Sequence, residues 1–378
     1  MLVERDADLS AQKENGSTAL HLALNNGHVE LARMLVERGG DVSAQTEGGW
    51  TALHFALNNG HVDPAPMLVE RGTDMSAQKK DGWTALHFAS RYGHGELARM
   101  LLERGTDLSA QTEGGWTALH FALNNGHMEL ARMLVERGAD LSAQTKSGWT
   151  ALHFALNKGH VGLARVLVEH GVDVSTRKKD GWNALHFASR DGHVGLARML
   201  VERGADTAQT KDGSTALRLA SENGHVDLVR MLAERGADMS AQRKDGWTAL
   251  HFASRDGHVG LARMLVECGA DMSAQTKDGS TALRLASENG HVDLAQMLVE
   301  RGADMSAQRK DGWTALHFAS RDGHVGLARK LVERGADMSA QTKVGSTALH
   351  LALKNGHVDL AQMLVERGAD VSALRKNR

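Results

Sequence analysis

The tetrad Thr-Ala-Leu-His keeps returning along this chain, starting at Thr18, Thr51, Thr84, Thr117, Thr150, Thr248, Thr314 and Thr347. Asn183-Ala-Leu-His and two Thr-Ala-Leu-Arg variants, at Thr215 and Thr281, fill the gaps. The spacing is 33 residues. A fixed period of this length means one small supersecondary unit, repeated. Such a unit cannot bury its own apolar face, so it stacks on copies of itself. The chain therefore makes a long surface rather than a pocket, and recognition is the expected class of function.

A glycine ahead of each tetrad sets the register: Gly16, Gly49, Gly82, Gly115, Gly148, Gly181, Gly213, Gly246, Gly279, Gly312 and Gly345. Every interval is 33 residues except Gly181 to Gly213, which is 32. There Ala205-Asp206-Thr207-Ala208-Gln209 replaces the usual Ala-Asp-Met-Ser-Ala-Gln. Connecting segments absorb length changes best, so this stretch is expected to be a loop. Residues 1–15 read as a partial repeat. One continuous domain of eleven units follows: 16–48, 49–81, 82–114, 115–147, 148–180, 181–212, 213–245, 246–278, 279–311, 312–344 and 345–378.

The unit at Gly115 shows the local logic. Thr117 is a helix N-cap type, and Leu119, Ala122 and Leu123 follow at helical spacing. Gly126-His127 breaks that helix. Leu130, Ala131, Met133, Leu134 and Val135 build a second one, with Glu129, Arg132 and Glu136 on its wet side. Gly138 suits a left-handed C-terminal position. The segment from Ala139 to Gly148 is turn-like. The unit is helix, tight turn, helix, extended turn, and nothing alternates with period two for long enough to form a sheet.

Gly115, Thr117, Leu119-His120, Ala122, Gly126-His127, Leu130, Leu134 and Gly138-Ala139-Asp140 together resemble the ankyrin repeat. The resemblance implies an all-α solenoid of stacked helix-turn-helix units with projecting turns. It also implies protein-binding scaffolds without catalysis or cofactor. One departure is systematic. The family usually carries Pro after the Thr, where this chain always has Ala, as at Ala118. Proline is pre-set for a helix start, so its loss weakens each N-terminus slightly without changing the fold.

Net charge is −2, with both signs mixed in every unit. No basic stripe points to nucleic acid. No apolar run approaches the ~20 residues of a membrane helix. The lone Cys268 stands where most units have Arg and fits a reducing interior, so an intracellular location is expected, cytoplasmic with the nucleus open. The 21 histidines include no His-x-x-x-His pair on one helix, so no metal site is expected. The resemblance implies instead that each hydrogen-bonds backbone in the neighbouring loop and ties two layers. Candidate catalytic residues recur in about ten copies with no unique set, against the requirement of a triad.

Variable positions carry the candidate binding surface. The residue before the tetrad is Trp50, Trp83, Trp116, Trp149, Trp182, Trp247 or Trp313, and Ser in the other four units. Trp units have Phe five residues on, and Ser units have Leu. Two readings stay open: a partner-binding edge, or aromatic packing inside the stack. The pairs before Gly-His also vary, as in Asn58-Asn59, Arg91-Tyr92 and Asn124-Asn125. The resemblance places them on the concave face. Its five consecutive Trp units put the main footprint between Trp50 and Trp182. The alternative is a structural spacer or elastic tether, or a regulatory array of a larger multidomain protein.

Three further expectations concern weak points. Met1-Leu-Val-Glu-Arg enters in the middle of a second helix, and the last unit keeps Leu360, Leu364 and Val365, so the chain reads as a fragment. A monomer is expected unless such uncapped ends associate. Pro64 and Pro66 interrupt the second helix of the unit at Gly49. Pro64 falls in a tolerant first turn but displaces a core Leu; Pro66, further in, is expected to cost roughly 3 kcal/mol.

Overall fold

The computed structural model describes residues 8–371. The expected half-helix at Met1 to Arg5 and the last residues through Arg378 lie outside them. Among the described residues there are helices and turns and no strand. The chain falls into two compact units, 1–179 and 180–378.

In the first unit the helices are α1 (Ala19–Asn25), α2 (Val29–Glu37), α3 (Ala52–Asn58), α4 (Ala65–Glu70), α5 (Ala85–Tyr92), α6 (Gly95–Glu103), α7 (Ala118–Asn125), α8 (Met128–Glu136), α9 (Ala151–Asn157) and α10 (Val161–Glu169). In the second they are α11 (Ala184–Arg190), α12 (Val194–Glu202), α13 (Ala216–Glu222), α14 (Val226–Glu234), α15 (Ala249–Arg255), α16 (Val259–Glu267), α17 (Ala282–Glu288), α18 (Val292–Glu300), α19 (Ala315–Arg321), α20 (Val325–Glu333), α21 (Ala348–Lys354) and α22 (Val358–Glu366). Each repeat is one helix pair. Within each unit, odd helices pack on odd and even on even, and the core is a strip of Leu, Ala and Val shared between layers, such as Leu119, Ala122, Leu123, Ala131 and Leu134.

The tetrad starts each first helix by a reciprocal cap. In α5 the Thr84 hydroxyl accepts from His87 N–H, and His87 Nδ1 accepts from Thr84 N–H at 3.0 Å. This is the capping-box arrangement, with His in the place usually held by Glu or Gln. It recurs in the repeats of Thr18, Thr51, Thr117, Thr150, Asn183, Thr248, Thr314 and Thr347. The geometry also fixes the tautomer. A backbone N–H can only donate, so Nδ1 holds a lone pair and the ring proton sits on Nε2. That proton goes to a carbonyl: His87 Nε2 donates to Ala110 O at 3.1 Å. His251 Nε2 lies 3.1 Å from both Ala274 O and Ser280 O, the latter in the next repeat. The His87–Ala110 bond lies within one repeat, and the expected tie between layers is present at His251 through Ser280 O.

A second tie uses the histidine after the helix-breaking glycine. His127 Nε2 donates to Arg91 O at 3.1 Å, and His291 Nε2 to Arg255 O at 2.9 Å. Gly93 has φ +78°, and a Cβ there would lie 2.5 Å from the His127 ring, so only Gly allows the approach. The projecting turns are joined by one backbone bond per layer, as from Lys80 N to Gly48 O at 3.0 Å and from Glu113 N to Asp81 O at 2.8 Å. One bond per layer does not make a ladder, which is why the turns stay turns.

Three local departures are absorbed. The first is the pair of prolines. α4 begins only at Ala65, three residues later than its equivalents, with Pro64 as N-cap and Pro66 in the first turn. Pro66 therefore loses no interior helix bond, contrary to the sequence expectation. The helix start moved until both rings occupied positions that need no amide. The second is the missing residue near Asp206. Residues 205–210 are a loop, as expected. Elsewhere the turn is pinned by Ser, as where Ser240 N donates to Asp238 Oδ1 at 2.8 Å; here Ala208 N takes that role toward Asp206.

Asn183 is the third, and it matches the second. Its Oδ1 accepts from His186 N at 3.2 Å while its Nδ2 donates to Asp206 O at 2.8 Å. Threonine could cap but could not reach both. Replacing Asn183 by Thr, the residue found in every other repeat, is expected to lower stability by about 1 kcal/mol. Chemical denaturation followed by circular dichroism checks this; equal or greater stability in Asn183→Thr would show that the Asp206 bond contributes nothing.

Candidate functional site

The seven tryptophans are all half-buried. Those of the first unit interleave with phenylalanines. Trp50 lies 4.8 Å from Phe55 and 5.7 Å from Phe88; Trp83 lies 4.7 Å from Phe88 and 4.6 Å from Phe121. Trp116 continues at 4.9 Å from Phe121 and 4.8 Å from Phe154, and Trp149 at 4.8 Å from Phe154. Each indole thus packs on the Phe of its own repeat and, for the first three, of the next. This accounts for the Trp–Phe pairing seen in the sequence, and it leaves one side of each ring at the surface.

Cations cover part of that side. Lys79 Nζ is 4.1 Å from the Trp50 ring and Lys178 Nζ is 4.1 Å from the Trp149 ring. Arg91, at the far end of α5, runs back so that its guanidinium lies 5.4 Å from Trp83 and 5.5 Å from Tyr92. Tyr92 is 41% exposed, the only aromatic among the exposed large apolar side chains of the described residues. The structure brings Trp83, Arg91 and Tyr92 together. Asn58 and Asn59 sit at the opposite end of α3 from Trp50, across a helix of 7 residues, about 10 Å. Asn58 Nδ2 donates to Asn59 Oδ1 at 3.0 Å, and Asn59 Nδ2 to Asn25 O at 3.3 Å. Asn124 is half-buried; Asn125 is exposed and bonds back to Phe121 O at 2.9 Å.

Trp182 belongs to the second unit, 5.0 Å from Phe187 and 5.8 Å from the Arg190 guanidinium. Here the arginines are forked onto the following Asp. Arg190 Nε donates to Asp191 at 2.7 Å, and Arg255 and Arg321 repeat the pattern with Asp256 and Asp322 at 2.7 Å. The hydrogen bonds donated to these carboxylates hold each guanidinium pKa above its ordinary value. Two of the four Ser repeats carry Arg in place of the tetrad histidine. Arg218, 4% exposed, donates to Ser214 Oγ at 2.7 Å and to Glu222 at 2.6 Å, with its guanidinium 4.9 Å from Phe252. Arg284 repeats this with Ser280 and Glu288. Sequence reasoning found the Trp–Phe set but missed the Ser–Arg–Glu set. The signal was present, because only in those two units does Arg end the tetrad, with Glu four residues after it.

Burial also sets the histidines. It pushes His54, His87 and His120 down from 6.5 to about 4, and lowers His21, His251 and His317 in the same direction. They are neutral at pH 7, with Nδ1 of each committed to the helix cap. Among the described residues no group of three His, Cys, Asp or Glu could hold a metal ion. No helix there is long and apolar enough to cross a membrane. Cys268 is exposed, at a position where Arg301 and Arg235 reach back to Glu267 and Glu202 at 2.7 and 3.0 Å.

Comparison with known proteins gives one finding and one blank. No curated protein matches the chain. The family model described as ankyrin repeats, in three copies, matches residues 1–79, 49–112, 66–145, 104–178, 142–211, 174–243, 219–309 and 302–374. With helix pairs in the same register throughout, the chain belongs to the ankyrin-repeat family, whose repeats are protein–protein interaction modules and typically non-catalytic scaffolds.

Proposed function

We propose that this chain is a non-catalytic scaffold that binds partner proteins through its concave face and turn tips. In the first unit the contact residues are Trp50, Asn58, Asn59, Trp83, Arg91, Tyr92, Trp116, Asn124, Asn125 and Trp149; Trp182 contributes from the second. The observation that carries the reading is the Trp83–Arg91–Tyr92 group. It presents a guanidinium 5.4 Å and 5.5 Å from the centres of two aromatic rings, one of them the exposed Tyr92. Trp, Tyr and Arg are the side chains that dominate binding energy at protein interfaces. The second unit supports the choice by contrast, since its helix-end arginines are already forked onto their own aspartates.

The test uses the chain's own alternative filling. Trp83→Ser with Phe88→Leu, and Trp116→Ser with Phe121→Leu, convert two Trp repeats to the composition of the Ser17 repeat, which also keeps its histidine. The expected result is a melting temperature within a few degrees of the parent and loss of specific partners in affinity capture from a lysate. Capture of the same partners by parent and variant would reduce the tryptophans to packing. Absence of any specific partner for the folded parent would favour the spacer reading.

A further inference from the structure

The chain itself shows what an arginine at the end of a first helix holds. Arg190, Arg255 and Arg321 close α11, α15 and α19, and in each case the next residue is Asp. Each guanidinium keeps one carboxylate on two bonds. Arg190 Nε and Nη2 donate to Asp191 at 2.7 and 2.9 Å, and those of Arg255 to Asp256 at 2.7 and 2.8 Å. Arg321 does the same to Asp322. Two-point bonding to a carboxylate is the strong form of this contact. Each of the three also lies near the Trp ring of its own repeat, at 5.8, 5.5 and 5.6 Å. Arg91 holds the equivalent position in α5. It has the tryptophan, 5.4 Å away at Trp83, but Tyr92 stands where the others have Asp. Among the described residues the Arg91 guanidinium makes no hydrogen bond or ion pair, and Arg91 and Tyr92 are both exposed. Asp81, in the turn that carries Trp83, is taken by Lys79 at 3.1 Å.

We propose, on the reading of Trp83, Arg91 and Tyr92 as a contact site, that Arg91 takes its missing carboxylate from the partner. The segment that docks there is an acidic peptide of a partner protein, with an Asp or Glu side chain forked onto Arg91. Covering the guanidinium with an apolar surface would leave its donors without acceptors, whereas a carboxylate fills them. The two rings supply the apolar contact beside the charge. The surroundings carry the same sign. The residue pairs before Gly-His in the first unit, from Asn25-Asn26 to Asn157-Lys158, include two cations, Arg91 and Lys158, and no acid. In the second unit the five pairs from Arg190-Asp191 to Arg321-Asp322 each contain an acid. An acidic segment is therefore met by complementary charge on the first unit and by like charge on the second.

Random peptides displayed on phage and selected on the full chain supply the probes. Each binder is synthesised as selected, and again with its Asp and Glu replaced by Asn and Gln. Fluorescence polarisation then measures the preference for acid over amide. The parent should prefer the acid by about tenfold or more. Arg91→Gln should abolish that preference. Tyr92→Asp should abolish it too, because it recreates the Arg190-Asp191 pair and fills the fork from within. Tyr92→Asn, which installs the residue found at Asn59 and Asn125, should weaken binding through the lost ring but keep the preference. Both positions are exposed, so melting temperatures should match the parent and control for folding. Binders without acids, no binders at all, or an acid preference that survives Arg91→Gln overturn the proposal. Trp83→Ser with Phe88→Leu separates that failure from failure of the site. Binders lost in this variant but indifferent to Arg91→Gln leave the contact surface standing and make the acidic partner wrong. Binders indifferent to both remove the surface as well.

Discussion

On acidification from pH 7 to pH 4, the first unit is expected to unfold. His54, His87 and His120 are each held down to about 4 by burial, against 6.5 for an ordinary imidazole. The unfolded chain therefore takes up protons first as pH falls. Stability from these groups is complete above pH 6.5 and drains away as pH drops toward 4. Each site contributes about 3 kcal/mol across that window. Three sites reach the order of 10 kcal/mol, comparable with the whole stability of a typical domain. The structural cause is plain: a proton on Nδ1 destroys its bond to the Thr N–H and places a charge against the next layer. Glutamine can take the same place in a capping box. The triple variant His54→Gln, His87→Gln, His120→Gln should therefore keep its helices at neutral pH and lose most of the acid transition. A parent whose melting temperature holds constant between pH 7 and 4.5 would refute this account.

The second large effect concerns α4. Restoring Leu at position 64 and Arg at position 66 should let the helix start at residue 62, in line with its neighbours. The equivalent leucines are nearly all fully buried, such as Leu130 at 3% and Leu97 at 6%. Pro66 instead borders a cleft of 580 Å³ lined also by Val62, Asp63, His94, Leu97 and Met100, among others, while the Pro64 ring stands at the leucine position. Filling that position should raise stability by about 2 kcal/mol, at the low end for a buried leucine because the Pro64 ring is already buried. The gain is expected to be local, since neighbouring layers alone share the interface. In the parent, amide exchange should be faster over residues 8–70 than over α7 and α8, and the double variant should slow it. Uniform protection in the parent from α1 to α8 would mean that the late helix start costs nothing.

The sequence made the period, the helix pairs and the loop at Asp206 legible, because Gly at fixed spacing and apolar residues at helical spacing are local signals. It also showed that Trp and Phe vary together. The second nitrogen of the tetrad histidines was not read, although Thr-x-x-His has the spacing of a capping box. Histidine at that position invites thoughts of charge or metal before thoughts of a cap. Pro66 was misjudged because a helix boundary was carried over from neighbouring copies, whereas a start can slide. The Asn183–Asp206 bond spans 23 residues and compensates a deletion, and nothing local marks it. The candidate contact residues rest on resemblance, and geometry adds one coherent group, at Trp83, Arg91 and Tyr92.

The histidine bonds, within and between layers, have a consequence for how the chain acquires its structure. His87 reaches Ala110, 23 residues on, and His127 reaches back 36 residues to Arg91. Within each unit the helices that pack are near neighbours in sequence. Mean contact order is therefore low, the condition under which small closed loops form early and ordering is quick. A ribosome that has released two or three repeats has already released every partner those layers require. Order can then advance with synthesis, one layer behind another, without waiting for distant sequence.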